Sequence, residues 1–452
     1  MDSFLSRDYR QACRYGAGCY QKNPEHKAKF KHPEKEKKND QPKDNEVDKE
    51  NEAALNKVAS PLSKKRQLSS DSDVEDVKKT KVHEMSDDSQ DESADKSNDE
   101  VDECEVKEQE NHDVEKREEE SFLDIMPPSP FNIRDNIKSK FLVSMPEDFY
   151  QFYDFCKSLN SAEPSLALTS VGLKLCGPYD VLCGNIPAAA PRSTKLYLTH
   201  SRYYYDPPEL GTVLCEEKYN TGLHLGYFRD SPASDPVFLV SSVEGEGAKL
   251  TILGDNIFAA LYNHLASQVD KVDPFTRSKM SKMMEKVKLW VNKAMMAGND
   301  RLNLEKKTVG MKNRDRAKMA STFHGAGMVV PYDKKTEVGY REIPETPASL
   351  RKIIKNVVEA ESDKEKDLAF DVLQELVTNV QFANDEGDPG MGLELGLDLF
   401  CFEGDRLKNT IKHLLGVAYD LLDRDEFGQI LACHLERRKK GEQDSFSKWR
   451  VV

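Results

Sequence analysis

The chain has 452 residues, of which 38% are hydrophobic and 32% charged, with a formal net charge of -14. That length suggests two or three domains, yet the polarity is high for it, so part of the chain is expected to lack a core of its own. No window approaches the roughly 18 consecutive apolar residues of a membrane span, and the opening MDSFLSRDYR has none of the apolar run of a secretory signal, so the protein is expected to be soluble, not secreted and without a membrane partner.

The stretch CRYGAGCYQKNPEHKAKFKH, residues 13–32, is too short to fold by hydrophobic burial. Cys13, Cys19, His26 and His32 supply two thiolates and two imidazoles, a complete tetrahedral set for structural Zn2+ that leaves no position for a substrate water. Zinc binding by such peptides contributes on the order of 10 kcal/mol at neutral pH, enough to order a loop with no core. The spacing is not that of the DNA-reading finger, whose long second gap houses a recognition helix. The run C-x-Y-G-x-x-C-Y, then K-N-P-x-H, then F-x-H resembles the poly(ADP-ribose)-binding zinc finger. The resemblance implies that Tyr15 and Tyr20 stack on adenine rings while Arg14 and Lys22 meet pyrophosphate, and it places Gln21 where several members carry Arg. The other seven of the nine cysteines are scattered without regular spacing, which fits a reducing compartment with metal binding better than a disulfide framework.

Residues 35–121 lack aromatic residues and are dominated by runs such as DSDVED, MSDDSQDESADKSNDE and EKREEE. Such a segment cannot bury enough apolar surface to offset its ordering entropy, and it reads as a disordered acidic linker. Within it, Lys64-Lys65-Arg66 and Lys78-Lys79-Thr80-Lys81 form a bipartite nuclear-import pattern, so a nuclear location is expected. The Lys- and Arg-rich first 38 residues and Arg437-Arg438-Lys439-Lys440 near the end suit a polyanion partner, or are simply solvated.

Beyond the linker the composition turns globular. SMPEDFYQFYDFCKSLN begins with a capping-type Ser144-x-x-Glu147 and repeats its apolar residues at helical spacing. KLYLTH, GTVLCE and PVFLVSS read as strands, and YYYDPPEL and HLGYFRDSP as turns packed on the sheet. Helices then dominate: IFAALYNHLASQV, a basic amphipathic stretch around residues 280–296, residues 349–360, residues 364–384, and two more to the end, with FHGAGMVVP and EVGYREIPET as strand and loop between them. The expected class is α+β: a two-lobed globular core, with a mixed α/β N-lobe over residues 122–245 and a mainly helical C-lobe with a few strands over residues 246–452, preceded by the finger (1–34) and the linker.

Several motifs do not carry chemistry. HGAGMVV lacks the third glycine of a dinucleotide loop, Asp423, Asp425 and Gly428 lack calcium-loop spacing, His324 beside Gly325 reads as a turn histidine, and no G-x-S-x-G turn or Walker loop is present. One stretch is different. The helix through Leu376, Val377 and Val380 ends at Asp385-Glu386-Gly387, glycine being the expected residue just past a terminus. Two adjacent carboxylates then sit at the negative end of the helix dipole, where each disfavours the other's charge and makes it a better proton acceptor than a surface glutamate. Consecutive helical residues project about 100° apart, so the two cannot face each other across a sugar as a glycosidase pair does. A base without a nucleophile, cofactor loop or catalytic metal looks like half an active site.

MPEDFYQFYDFC, GPYDVL, YYYDPPE, GYFRDSP, GDNIFAA, TFHGAGMVVP, VGYREIPET, VQFANDE and GMGLELGLDLFC together resemble the histone PARylation factor 1 family from about residue 140 to the end. That family comprises accessory factors of the poly(ADP-ribose) polymerases that act at DNA breaks. The resemblance implies a factor that docks on the polymerase catalytic domain and completes its site with a glutamate, directing ADP-ribosylation to serine of histones in the nucleosome and of other chromatin proteins, in the nucleus at DNA lesions. It assigns the base to Glu386, a docking and orienting role to Asp385, and partner binding to Tyr340 and Arg341, with NAD+ held by the polymerase and not by this chain. The finger and long linker, and Gly387 and Pro389, depart from the shorter vertebrate form. Other readings stay open: Tyr340 as core, Arg341 as a clamp on Asp385 within the chain, a self-sufficient ADP-ribose hydrolase or transferase, or a non-catalytic reader of poly(ADP-ribose).

Overall fold

The computed structural model describes Gln11–Ala12, Phe30–Lys31 and residues 126–446 other than 188–189, 219–220 and 300. The chain divides into two units, Met1–Lys96 and Ser97–Val452. In the first, Gln11–Ala12 (β1) and Phe30–Lys31 (β2) pair in parallel, with Ala12 opposite Lys31. The zinc ligands, the polymer-binding residues of the finger and the expected linker lie outside the described residues.

In the second unit, Ile133–Phe141 (α1) is capped by Asn132, whose side chain accepts from the amides of Arg134 and Asp135. Glu147–Leu159 (α2) follows, but the expected Ser144 cap does not form: the helix starts only at Glu147, Pro146 is the N-cap without a side-chain cap bond, and the Ser144 carbonyl accepts from the Arg229 guanidinium. Next come Leu173–Leu175 (β3), Pro178–Cys183 (α3) and Thr194–Thr199 (α4). The last covers KLYLTH, expected as a strand; it is one helical turn and a half, with the Thr199 hydroxyl donating back to the Lys195 carbonyl at 2.6 Å.

Leu210–Glu216 (β4), Leu223–Phe228 (β5), Phe238–Val243 (β6) and Thr251–Gly254 (β7) join β3 in a five-stranded antiparallel meander ordered β3-β4-β5-β6-β7. HLGYF, expected as a turn, is the central strand β5, buried along nearly its whole length, so it shows no polar alternation from which a half-exposed strand could be read. The lobe boundary expected at 245/246 falls between β6 and β7, which pair; the sheet extends to Gly254. Ile257–Gln268 (α5) and α2 cover one side, where Phe149 stacks on Tyr179 at 4.0 Å and Phe152 meets Phe258 edge-on at 5.1 Å. Asp148 joins the layers: its carboxylate accepts from the Tyr227 hydroxyl and the Ile257 amide, both at 2.8 Å, and burial pushes its pKa up to about 6.

Pro274–Met296 (α6) and Val309–Ala317 (α7) lead to the helical layer: Pro347–Glu359 (α8), Asp363–Glu386 (α9), Pro389–Phe400 (α10), Lys408–Leu421 (α11) and Asp425–Arg437 (α12). α9 opens with a reciprocal capping box between Ser362 and Glu365. Three helices, not two, follow it. The additional one, α10 in GMGLELGLDLF, is buried around its circumference between α9 and α11, as expected of a helix apolar on every face. Its Gly396 permits that approach, because a Cβ there would lie 2.6 Å from Leu415 Cδ2. A continuous hydrophobic core runs from the sheet through α9–α12.

Candidate functional site

The chain's acidic pair sits where α9 ends. Gly387 adopts φ 93° and its amide closes the helix on the carbonyls of Ala383 and Asn384, a left-handed terminus that glycine reaches without Cβ strain. The reversal brings Asp388 back under the helix, its amide donating to the Ala383 carbonyl at 2.8 Å. Asp388 is buried, 4% exposed, and its Oδ1 accepts from the Gly339 amide at 2.8 Å. The Gly390 amide donates to the Gly339 carbonyl at 3.1 Å. Loop 339–341 is thereby fastened to the α9–α10 junction, and residues 45 and more apart in sequence become one surface.

Tyr340 is half-buried there and donates its hydroxyl to Glu394 on α10 at 2.8 Å; burial, with the Glu394 charge second, raises its pKa, and burial raises that of Glu394 as well. Tyr340 is therefore both packed and hydrogen-bonded. Arg341 reaches across the junction with Nη2 to Glu386 Oε2 and, at 3.1 Å, to Asp388 Oδ2. Its own pKa is raised, first by the hydrogen bond to Glu386. The clamp considered for Asp385 thus closes on Glu386 and Asp388 instead. Asp385 is exposed, and no hydrogen bond or ion pair engages it among the described residues; the 100° step between neighbours on a helix points it away from Arg341.

Glu386 is 60% exposed at its side chain and lines neither of the two cavities described. A cleft of about 1150 Å3 opens elsewhere, beside β3 and β4, with Lys174, Cys176, His200 and Tyr203 in its walls. Flanking Glu386 are two exposed apolar side chains, Phe382 one turn earlier on α9 and Val338 beside Gly387. The arrangement places a carboxylate, a guanidinium and apolar side chains together on an exposed surface, outside both of the cavities described.

Asp388 was not recognisable as part of this site from the sequence; its only signal is an acid two residues past Glu386 and before a proline, at the point where a capped helix must reverse. Among the described residues no group of three or more Cys, His, Asp or Glu is arranged to hold a metal ion. His324 is structural as expected: it is 1% exposed, its Nδ1 accepts from the Ala326 amide at 3.2 Å, and burial drives its pKa down to about 3. For the finger, the donor set of two thiolates and two imidazoles fits Zn2+, and in the β1–β2 pair the residue preceding Cys13 lies opposite the residue preceding His32.

Comparison with known proteins agrees with this division. The family model for histone PARylation factor 1 matches residues 132–438, and that for the PBZ domain, a CCHH zinc finger, matches residues 10–35. Histone PARylation factor 1 of Bos taurus is 42% identical over 319 residues, covering 70% of this chain and 90% of that protein. The Mus musculus protein of the same name is 42% identical over 317 residues, 70% and 90%, and a putative histone PARylation factor 1-like protein of Homo sapiens is 39% identical over 317 residues, 70% and 89%.

Proposed function

The chain belongs to the histone PARylation factor 1 family, and on that premise we propose that it docks on the catalytic domain of a poly(ADP-ribose) polymerase, completes that enzyme's site with Glu386, and directs ADP-ribose to serine of histones and other chromatin proteins. The PBZ finger binds poly(ADP-ribose) and holds zinc through Cys13, Cys19, His26 and His32, with Arg14, Tyr15, Tyr20 and Lys22 toward the polymer. NAD+ belongs to the polymerase.

The observation that carries the reading is the exposure of Glu386 outside both of the cavities described, held by an arginine that a partner can take over. A serine hydroxyl is too weak an acid to attack unaided at neutral pH, so a carboxylate must accept its proton as the bond to the ribose carbon forms and nicotinamide leaves. A carboxylate oxygen engaged by a guanidinium is a poor acceptor. Docking therefore draws Arg341 from Glu386 onto the polymerase, anchoring the complex and freeing the base in one movement, while Asp385, Tyr340, Phe382 and Val338 supply contact area. Exposed ion pairs contribute little to stability, so this exchange is inexpensive. A self-sufficient hydrolase or transferase would need its carboxylate in a cleft, and the cleft beside β3 and β4 does not include it. The linker's basic clusters support a nuclear location, and the tether would concentrate the core near polymer already made at a lesion.

The test is histone modification with polymerase, NAD+ and broken DNA. Glu386→Gln is expected to lower serine modification on the order of 10²- to 10⁴-fold, the usual contribution of a general base, while Cys13→Ala leaves most of it. Full serine modification with Glu386→Gln, or its loss with Cys13→Ala alone, would leave the chain a reader of polymer and remove the catalytic proposal; NAD+ turnover by the purified chain would favour the self-sufficient enzyme.

A further inference from the structure

Among the described residues, α6, 23 residues long, is the longest helix that the site does not use. Asp273 caps it, accepting from the amides of Phe275 at 2.9 Å and Thr276 at 3.1 Å. Met280, Met283, Val287 and Val291 are buried, with Trp290 edge-on to Phe155 at 5.4 Å, so one stripe is committed to the core. The stripe turned away from it carries Lys282, Lys286, Leu289 and Lys293, spaced four, three and four residues apart and all exposed. Such spacing stacks side chains on a single face. Lys279 continues the stripe one turn earlier, Arg277 lies at the N-terminal end, Lys288 is exposed on another side of the helix, and Glu285 is the only acid in α6.

Within α6, Arg277 and five lysines stand against a single acid, Glu285, so the helix presents a basic ridge with no acidic stripe of its own to match it. Lys282, Lys286, Lys288 and Lys293 have no ion pair or hydrogen bond among the described residues, although ion pairs engage other lysines of the core, such as Lys195 with Glu436 and Lys440 with Glu403. With a rise of 1.5 Å per residue, the ammonium groups from Lys282 to Lys293 spread over about 16 Å. Duplex DNA presents one negative charge per about 1.7 Å of its axis, so a straight line of this length meets several phosphates at once. The same face carries one exposed aromatic ring, Phe275 at the N-terminal end, and the Lys279 ammonium covers one side of it at 4.2 Å from the centroid; a single ring so covered is not the row of rings on which single-strand binders stack successive bases.

We propose that the exposed face of α6 binds duplex DNA through its phosphate backbone, without base specificity. This contact is separate from the finger's binding of polymer and from the Glu386 surface. It would add a weak, salt-sensitive hold on DNA to the core itself.

The experiment is fluorescence anisotropy of two 20-base-pair duplexes of unrelated sequence with the full chain, parent and Cys13→Ala, between 50 and 200 mM salt. Each phosphate contact contributes about -0.9 to the slope of log affinity on log salt. Lys282→Ala/Lys286→Ala is expected to make that slope shallower by about 1.8 and, at 0.1 M salt, to weaken binding by about 60-fold, equally for both sequences. Lys282→Arg/Lys286→Arg should retain binding, and Cys13→Ala should leave duplex affinity unchanged. All the lysines replaced are exposed, and coincident thermal unfolding of the variants confirms folding. An unaltered slope in the double alanine variant, loss of duplex binding with Cys13→Ala, or tighter binding to phosphatidylserine vesicles or single-stranded DNA than to duplex would overturn the proposal.

Discussion

Asp388 offers a quantitative handle on the site because it is buried and serves two neighbours. Its Oδ1 is the acceptor for the Gly339 amide and its Oδ2 anchors Arg341. In Asp388→Ala the buried amide loses its acceptor, which costs about 1–3 kcal/mol. For a core of about 320 residues, unfolding entropy near 2 cal/mol/K per residue makes 1 kcal/mol equal to about 1.5 °C, so the melting temperature should fall by about 2–5 °C. Asp388→Asn keeps an oxygen for Gly339 and loses only the charge opposite Arg341; its fall should be smaller, about 1 °C by the same conversion. Both variants take away one of the two anchors of Arg341, so both should weaken polymerase binding. Calorimetry of the full chain with amide exchange at Gly339 separates the effects: exchange should accelerate in the alanine variant and not in the asparagine one. An alanine variant that melts with the parent, or an asparagine variant that falls as far as the alanine one, would refute the assignment of Asp388 as the hydrogen-bonding anchor of loop 339–341.

Asp398 is buried, accepts from the Phe323 amide at 2.7 Å, and has its pKa pushed up to about 7 by burial. Because the folded value lies above the unfolded one of about 3.9, its contribution to stability is fully present below about pH 4 and is lost as pH rises through about 7; Asp398→Asn should therefore gain on the parent in melting temperature between pH 5 and pH 8, and a constant difference would contradict this. Gly396→Ala forces a methyl to within 2.6 Å of Leu415 and should cost about 1–3 kcal/mol by overpacking α10 against α11, measured by urea unfolding; an unchanged midpoint would mean that α11 moves freely. Deleting residues 1–34 should reduce recruitment to polymer-rich DNA lesions more than turnover on a short serine peptide, and equal losses would show that the finger acts in catalysis. Removing zinc with a chelator should abolish binding of poly(ADP-ribose) while leaving the core's unfolding transition in place; retained binding would argue against zinc as what orders the finger.

Local chemistry alone determined several features of this protein. The CCHH donor pattern marked a zinc-finger type that the family match bears out, and Asp385-Glu386-Gly387 reads as a helix end because glycine reverses a helix at so little strain. The amphipathic α6, α8 and α9 were legible for a related reason, since each advertises in its own spacing the face it buries, and GTVLCE and PVFLVSS were legible from their β-branched apolar runs between turn residues. Packing decided the rest. β5 and α10 are buried on all sides, so neither displays a period, and KLYLTH became helical α4 although its residues suit a strand. The pairing of Arg341 with Glu386 and Asp388 arises because the Gly387 reversal and the Gly339 hydrogen bonds bring two distant loops together. No spacing along the chain encodes such a contact; it exists only once the core has closed and the distance between those loops has fallen to that of a hydrogen bond.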